Sequence, residues 1–83
     1  MNTYTTEFHA RCPHNGIRIK YRLRIETAKV IPVEWISAAV ESVDDVFHEE
    51  IADNLAKQFA GLHTLTADHH GVTIETTRKG AEK

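Results

Sequence analysis

The chain contains a single cysteine, so it forms no internal disulfide. It has no apolar run near the roughly 18–20 residues that a membrane-spanning helix needs, and its first residues lack the basic-then-apolar pattern of a secretory signal. No repeat or low-complexity stretch interrupts the 83 residues, a length typical of one domain, residues 1–83. We therefore expect a cytoplasmic protein whose thin core needs a metal ion or self-association for added stability.

Charge is unevenly distributed along the chain, although the net charge is only −2. Residues 16–26 carry four basic side chains and one acidic side chain, whereas residues 34–53 carry seven acidic side chains and no basic one. Hydrophobic residues make up 41% of the chain and charged residues 27%, which is typical of a folded globular domain. The separation predicts two surfaces of opposite charge.

Two segments near the N-terminus alternate between apolar and polar residues, which is the pattern of half-buried strands. The first strand is predicted over residues 3–12 and the second over residues 17–27. Between them, residues 13–16 read Pro-His-Asn-Gly, all common in turns. The pattern predicts an antiparallel hairpin.

Apolar residues recur at helical spacing in the middle of the chain. A helix is predicted over residues 33–43. Pro32 marks its start, because proline is tolerated at the beginning of a helix, where its missing N–H costs no hydrogen bond. Asp44 and Asp45 are N-cap residue types for a second helix, predicted over residues 46–60.

The last part of the chain returns to alternation. Gly61 is placed to end the second helix. Strands are predicted over residues 63–68 and 72–78, joined by a turn that contains glycine. The complete order predicts an α+β domain of ββααββ topology, in which both helices cover one face of a four-stranded antiparallel sheet.

The predicted sheet carries a basic stripe on the face away from the helices. The stripe consists of the polar side chains of the second strand: Arg18, Lys20, Arg22 and Arg24. A row of cations can bind the phosphates of nucleic acid or an acidic protein, but Tyr21 faces the core and supplies no ring for base stacking. The stripe could equally line a polar tunnel or pair with acids such as Glu7 or Glu75.

The ββααββ order in so short a chain resembles the tunnelling fold (T-fold), which includes pterin synthases, GTP cyclohydrolases and the nitrile reductases of the queuosine pathway. Residues 8–13 (Phe-His-Ala-Arg-Cys-Pro), 45–51 (Asp-Val-Phe-His-Glu-Glu-Ile) and 68–74 (Asp-His-His-Gly-Val-Thr-Ile) are similar to segments of the nitrile-reductase branch. The resemblance implies a homo-oligomer whose subunits pair their sheet edges. It also implies a purine- or 7-deazapurine-like ligand at the subunit interface.

The same resemblance implies roles for three residues. Cys12 corresponds to the nucleophile that attacks a nitrile, and His48 and Glu49 correspond to residues that contact the heterocycle. However, residues 14–19 contain no counterpart of the family's aspartate, and only Glu34 remains of its cofactor-binding run. We therefore expect no cofactor, and whether the protein is catalytic stays open.

Each candidate also has a structural interpretation. Alternation places Cys12 on the apolar side of its strand, where free cysteines are commonly buried, although Arg11 and His14 are neighbours that could activate a thiolate. Acids in a first helical turn, such as Glu49, stabilise the helix dipole. Among the six histidines, no two have the His-x-His or His-x-x-x-His spacing that is common in metal sites, so no metal is predicted.

The sequence thus predicts two alternative functions. The first is a T-fold-like protein, a divergent or degenerate relative of the nitrile reductases, that binds a purine-type heterocycle between subunits. The second is a non-catalytic interaction protein whose basic stripe binds nucleic acid or an acidic partner.

Overall fold

A computed structural model describes residues 1–80, so residues 81–83 of the predicted domain lie outside the described residues. Six elements follow one another along the chain: β1 (Asn2–Arg11), β2 (Arg18–Thr27), α1 (Val33–Glu41), α2 (His48–Gln58), β3 (Leu62–His69) and β4 (Val72–Lys79). This order confirms the predicted α+β domain of ββααββ topology.

The four strands form one antiparallel sheet in the order β1-β2-β3-β4. Strands β1 and β2 pair along their whole length, from Asn2 opposite Thr27 to Arg11 opposite Arg18. Strands β3 and β4 are joined by only two residues, His70 and Gly71, both with positive φ (55° and 81°). Positive φ at both positions is typical of a type I′ turn, whose twist matches that of paired strands.

The core lies between the sheet and the two helices. Alternate residues of the central strands are buried, and on β2 they are Ile19, Tyr21, Leu23 and Ile25. The helices contribute an apolar stripe of Ile36 and Val40 from α1, and Ile51 and Leu55 from α2. We call the opposite, solvent-facing side of the sheet the open face. Burial of one such aliphatic side chain contributes about 1.5–3 kcal/mol, so this single layer supplies most of the stability.

The second helix is shorter than predicted. It begins at His48, and the residue before it, Phe47, makes no side-chain cap. Asp44 does not cap the helix, because its carboxylate accepts hydrogen bonds from the backbone N–H and guanidinium of Arg11, which joins the helix–helix loop to β1. The helix ends at Gln58, since Phe59 is already extended, although its side chain remains buried.

Gly61 therefore lies three residues beyond the helix and does not end it. A Cβ at this position would be 2.5 Å from the carbonyl oxygen of Glu26. Glycine is required here because the chain passes directly against the backbone of β2. The next residue, Leu62, begins β3. Its side chain lies on the open face and is 43% exposed, so it is not part of the core.

Candidate functional site

Three chain segments meet at one end of the sheet, which we call the hairpin end: residues 12–17, the His70–Gly71 turn and the N-terminus of α2. The 12–17 loop is closed by backbone bonds from Cys12 N–H to Ile17 O (2.9 Å) and from Gly16 N–H to Cys12 O (2.8 Å). Most of the chemistry-bearing side chains that the sequence singled out lie here, because antiparallel neighbours place both hairpin loops at the same end.

His48 is the most enclosed of the predicted site residues. Its ring is buried, lies 5.6 Å from the Tyr21 ring between centroids, and its Nδ1 is 3.3 Å from Nε2 of His69. Burial lowers the pKa of His48, and the adjacent His69 lowers it further. The folded environment therefore favours the neutral form of the ring. The other ring nitrogen of His48, Nε2, is also buried and has no hydrogen-bond partner among residues 1–80.

Cys12 is half-buried and packs against the core. Burial raises the pKa of the Tyr21 hydroxyl, and the nearby thiol contributes to the rise. Tyr21 thus lies between the two candidates in effect: its ring is beside His48, and its hydroxyl is within the electrostatic reach of Cys12. Arg11, a predicted activator of the thiol, is instead bound to Asp44, whose pKa it lowers to about 2. Its charge is consequently committed to another partner.

Glu49 lies in the first turn of α2, exposed above the edge strand β4. Its Oε2 accepts a hydrogen bond from Arg78 (2.7 Å), and Thr76 donates a longer one to Oε1 (3.4 Å). Arg78 also donates to Asp53 (2.7 Å), one turn further along α2. The carboxylate is thus oriented by β4, and each of its oxygens keeps one further lone pair for a ligand.

Sequence reasoning missed three residues of this arrangement: Tyr21, His69 and Arg78. A signal was present for Arg78, because strand alternation places it on the helix-facing side, where a cation needs an acidic partner. The importance of Tyr21 and His69 depends on which strands are neighbours, and that follows only from the folded sheet.

The basic stripe lies on the open face as predicted, with all four side chains exposed. Two acidic neighbours balance half of its four positive charges. Glu7 binds Lys20 (3.4 Å) and Arg22 (2.9 Å), which lowers the pKa of its carboxyl group, and Glu26 binds Arg24 (3.3 Å). Arg18 is the member without an ion pair among the described residues. The stripe therefore presents much less net charge than its sequence indicates.

Comparison with protein-family models, with curated proteins and with solved structures finds no match to this chain. Within residues 1–80, no group of three or more histidine, cysteine or acidic side chains is placed to hold a metal ion. No helix in that same part of the chain has both the length and the apolarity required to cross a bilayer.

Proposed function

We propose that this protein binds a purine-type heterocycle at a junction between two copies, where the β4 edge of one sheet meets the β1 edge of the next. The observation that carries the proposal is the state of these edges. β1 and β4 have one ladder partner each within residues 1–80, and neither contains a proline. Long unprotected edges of this kind are templates for pairing with another chain.

The directions of the two edges suit such pairing. Since each strand is antiparallel to the next, β4 is antiparallel to β1, and β4 of one copy continues the sheet into β1 of a second copy. A cavity of about 370 Å³ lies along the free side of β1, between that strand and α1, lined in part by Thr6, Phe8 and Val40. This space can accept side chains from a neighbouring edge.

The predicted site residues belong to opposite edges of one copy. Cys12 follows the edge strand β1, whereas Glu49 lies above the edge strand β4 and is bound to Arg78 on that strand. Edge pairing brings Glu49 of one copy towards the hairpin-end residues of the next. The free lone pairs of Glu49 match two adjacent N–H groups of a guanine-like ring. Arg11, the neighbour that could activate Cys12, is bound to Asp44, so we propose binding rather than catalysis.

Two measurements test the proposal. The mass in solution, by light scattering after size exclusion, is expected to be at least twice the 9.4 kDa of one chain. Guanine and 7-deazaguanine are then expected to raise the melting temperature, since a ligand at 100 times its Kd stabilises by about 2.7 kcal/mol. Glu49→Gln should abolish this rise, because an amide cannot accept both N–H bonds.

Glu50→Gln is the matched control, since Glu50 lies in the same helical turn and its exposed side chain makes no ion pair among residues 1–80. It should retain the full ligand-induced rise. A monomer in solution would refute the junction. An oligomer that neither heterocycle stabilises would refute the ligand while leaving edge pairing in place.

The second function, binding of nucleic acid or an acidic partner by the basic stripe, has weaker support because Glu7 and Glu26 already bind three of its four cations. It predicts binding that weakens steeply with salt. Such binding, lost in the double variant Arg22→Ala/Arg24→Ala with folding intact, would replace the heterocycle proposal.

A further inference from the structure

The β3–β4 turn is held from two sides by histidine side chains that are adjacent in sequence. His69 reaches α2, where its Nε2 lies 3.3 Å from Nδ1 of His48. His70 reaches the 12–17 loop, where its Nε2 lies 3.1 Å from Nδ2 of Asn15. We name this pair of contacts the histidine latch. Within the turn, His70 adopts a positive φ of 55°, which costs a non-glycine residue about 1–2 kcal/mol.

The Asn15 contact fixes the protonation state of His70. The side-chain Oδ1 of Asn15 accepts a hydrogen bond from the backbone N–H of Ile17 (3.1 Å), so the amide nitrogen is the atom that faces His70. An amide nitrogen only donates, and Nε2 of His70 must therefore be an unprotonated acceptor. A protonated His70 loses this bond. An amide flip would restore an acceptor but would remove the oxygen that holds Ile17.

The His48–His69 contact depends on protonation in a related way. One proton between the two nitrogens makes a hydrogen bond, whereas two protons oppose each other. A proton on His69 alone preserves the bond, but protonation of both rings breaks it. His48 resists protonation because it is buried and lies at the positive end of the α2 dipole.

The surroundings of the latch act in both directions. Tyr21 of β2 faces His69 edge-on at 6.0 Å. For His48, burial, His69 and Arg78 of β4 oppose the charged ring, whereas Glu49 on its own helix and the backbone of Leu65 favour it, and the net effect is a lowered pKa. Among residues 1–80, no carboxylate forms an ion pair with His48, His69 or His70.

We propose that the histidine latch is a pH-sensitive switch. At neutral pH it ties the β3–β4 turn to α2 and to the 12–17 loop. A proton on His70 breaks its contact with Asn15 and frees the turn from the 12–17 loop, whereas the His48–His69 contact keeps the turn on α2. This inference is independent of the ligand proposed above, because it depends only on contacts within one copy.

The test measures the opening of the turn as a function of pH. Amide hydrogen exchange of residues 69–72, corrected for the intrinsic pH dependence of exchange, reports that opening in the full chain. From pH 7.5 to 5, loss of one hydrogen bond should raise the corrected opening constant about two- to tenfold. The double variant His69→Gln/His70→Gln should show no such rise, since glutamine keeps a hydrogen-bonding group but does not titrate.

Two further variants keep the proposal falsifiable. Asn15→Asp places a carboxylate opposite His70, so acid should then tighten the turn instead of opening it. His14→Gln removes an exposed histidine of the same loop that makes no hydrogen bond among residues 1–80, and it should follow the unsubstituted protein. An opening constant in the unsubstituted protein that does not change with pH would overturn the proposal. The same rise in His69→Gln/His70→Gln, or no reversal in Asn15→Asp, would also overturn it.

Discussion

Substitution of Gly61 by alanine is expected to destabilise the fold severely, for two reasons that the structure separates. The φ of Gly61 is +111°, a conformation that side-chain-bearing residues rarely adopt, and a residue held in such a region costs of order 1–3 kcal/mol. In addition, the new Cβ would lie 2.5 Å from the carbonyl oxygen of Glu26 and 2.7 Å from Cβ of Thr27.

The contact with Glu26 is made by backbone, so no side-chain rotation relieves it. The strand start would have to shift, and overpacking of this kind typically costs 1–3 kcal/mol. Together the two effects amount to about 2–6 kcal/mol. A domain of this length is stable by only about 4–12 kcal/mol. The Gly61→Ala variant should therefore lose a large share of its stability.

Gly16→Ala is the matched control. Gly16 also has a positive φ, +71°, but a Cβ there would have no atom within 4 Å. Its expected cost is the backbone term alone, about 1–2 kcal/mol. The reduced entropy of the unfolded chain favours both alanine variants equally, so the difference between them reports the contact with β2 together with the larger backbone cost at φ +111°.

Urea denaturation measures both variants against the unsubstituted protein, with the midpoint compared at constant m-value. Gly61→Ala should lose at least about 1 kcal/mol more than Gly16→Ala. Equal losses would show that the chain at Gly61 can move away from β2 at no cost. That result would refute the close-approach argument.

Two further predictions concern the core. Leu65→Ala should lower the free energy of unfolding by about 2–5 kcal/mol, because the Leu65 side chain is buried in the centre of the sheet. Leu62→Ala, at the exposed start of β3, should lower it little. Equal urea midpoints for the two variants would contradict this. Burial also lowers the pKa of His63 below its ordinary value of 6.5, although its Nε2–H donates a hydrogen bond to the carbonyl oxygen of Phe59 (2.7 Å). The unfolded chain then binds more protons, so the urea midpoint should fall as the pH decreases below about 6.5. His9→Gln, at an exposed position, should leave that slope unchanged, and a midpoint constant from pH 8 to 5 would show that His63 contributes nothing.

The positions of the strands were predictable because alternation is a local property. Each residue of β2 is apolar or polar according to the face it occupies, so its period appears in the sequence without knowledge of the fold. The limits of α2 were less predictable. Asp44 has the residue type of an N-cap, but its carboxylate is bound by Arg11, 33 positions away, and not by the N–H groups of α2. A rule that considers only neighbouring residues cannot predict such a distant partner.

The candidate site was predicted only in part for the same reason. Cys12, His48 and Glu49 were identified from short segments, and the structure places His48 against the Tyr21 ring and Cys12 against the same core. The partner of Glu49 was not identified, since contact with Arg78 depends on how α2 lies across β4.

Local pattern in the sequence thus determined the order of the elements, the face that each strand residue occupies and the side of the sheet that carries the basic stripe. The tertiary structure alone decided which charges meet. It paired three cations of the stripe with Glu7 and Glu26, which balance half of its charge, and it turned Glu49 towards Arg78. It also placed two consecutive histidines against different parts of the chain. The physical reason is that side-chain periodicity depends on the backbone of one segment, whereas ion pairs and hydrogen bonds depend on the distance between segments.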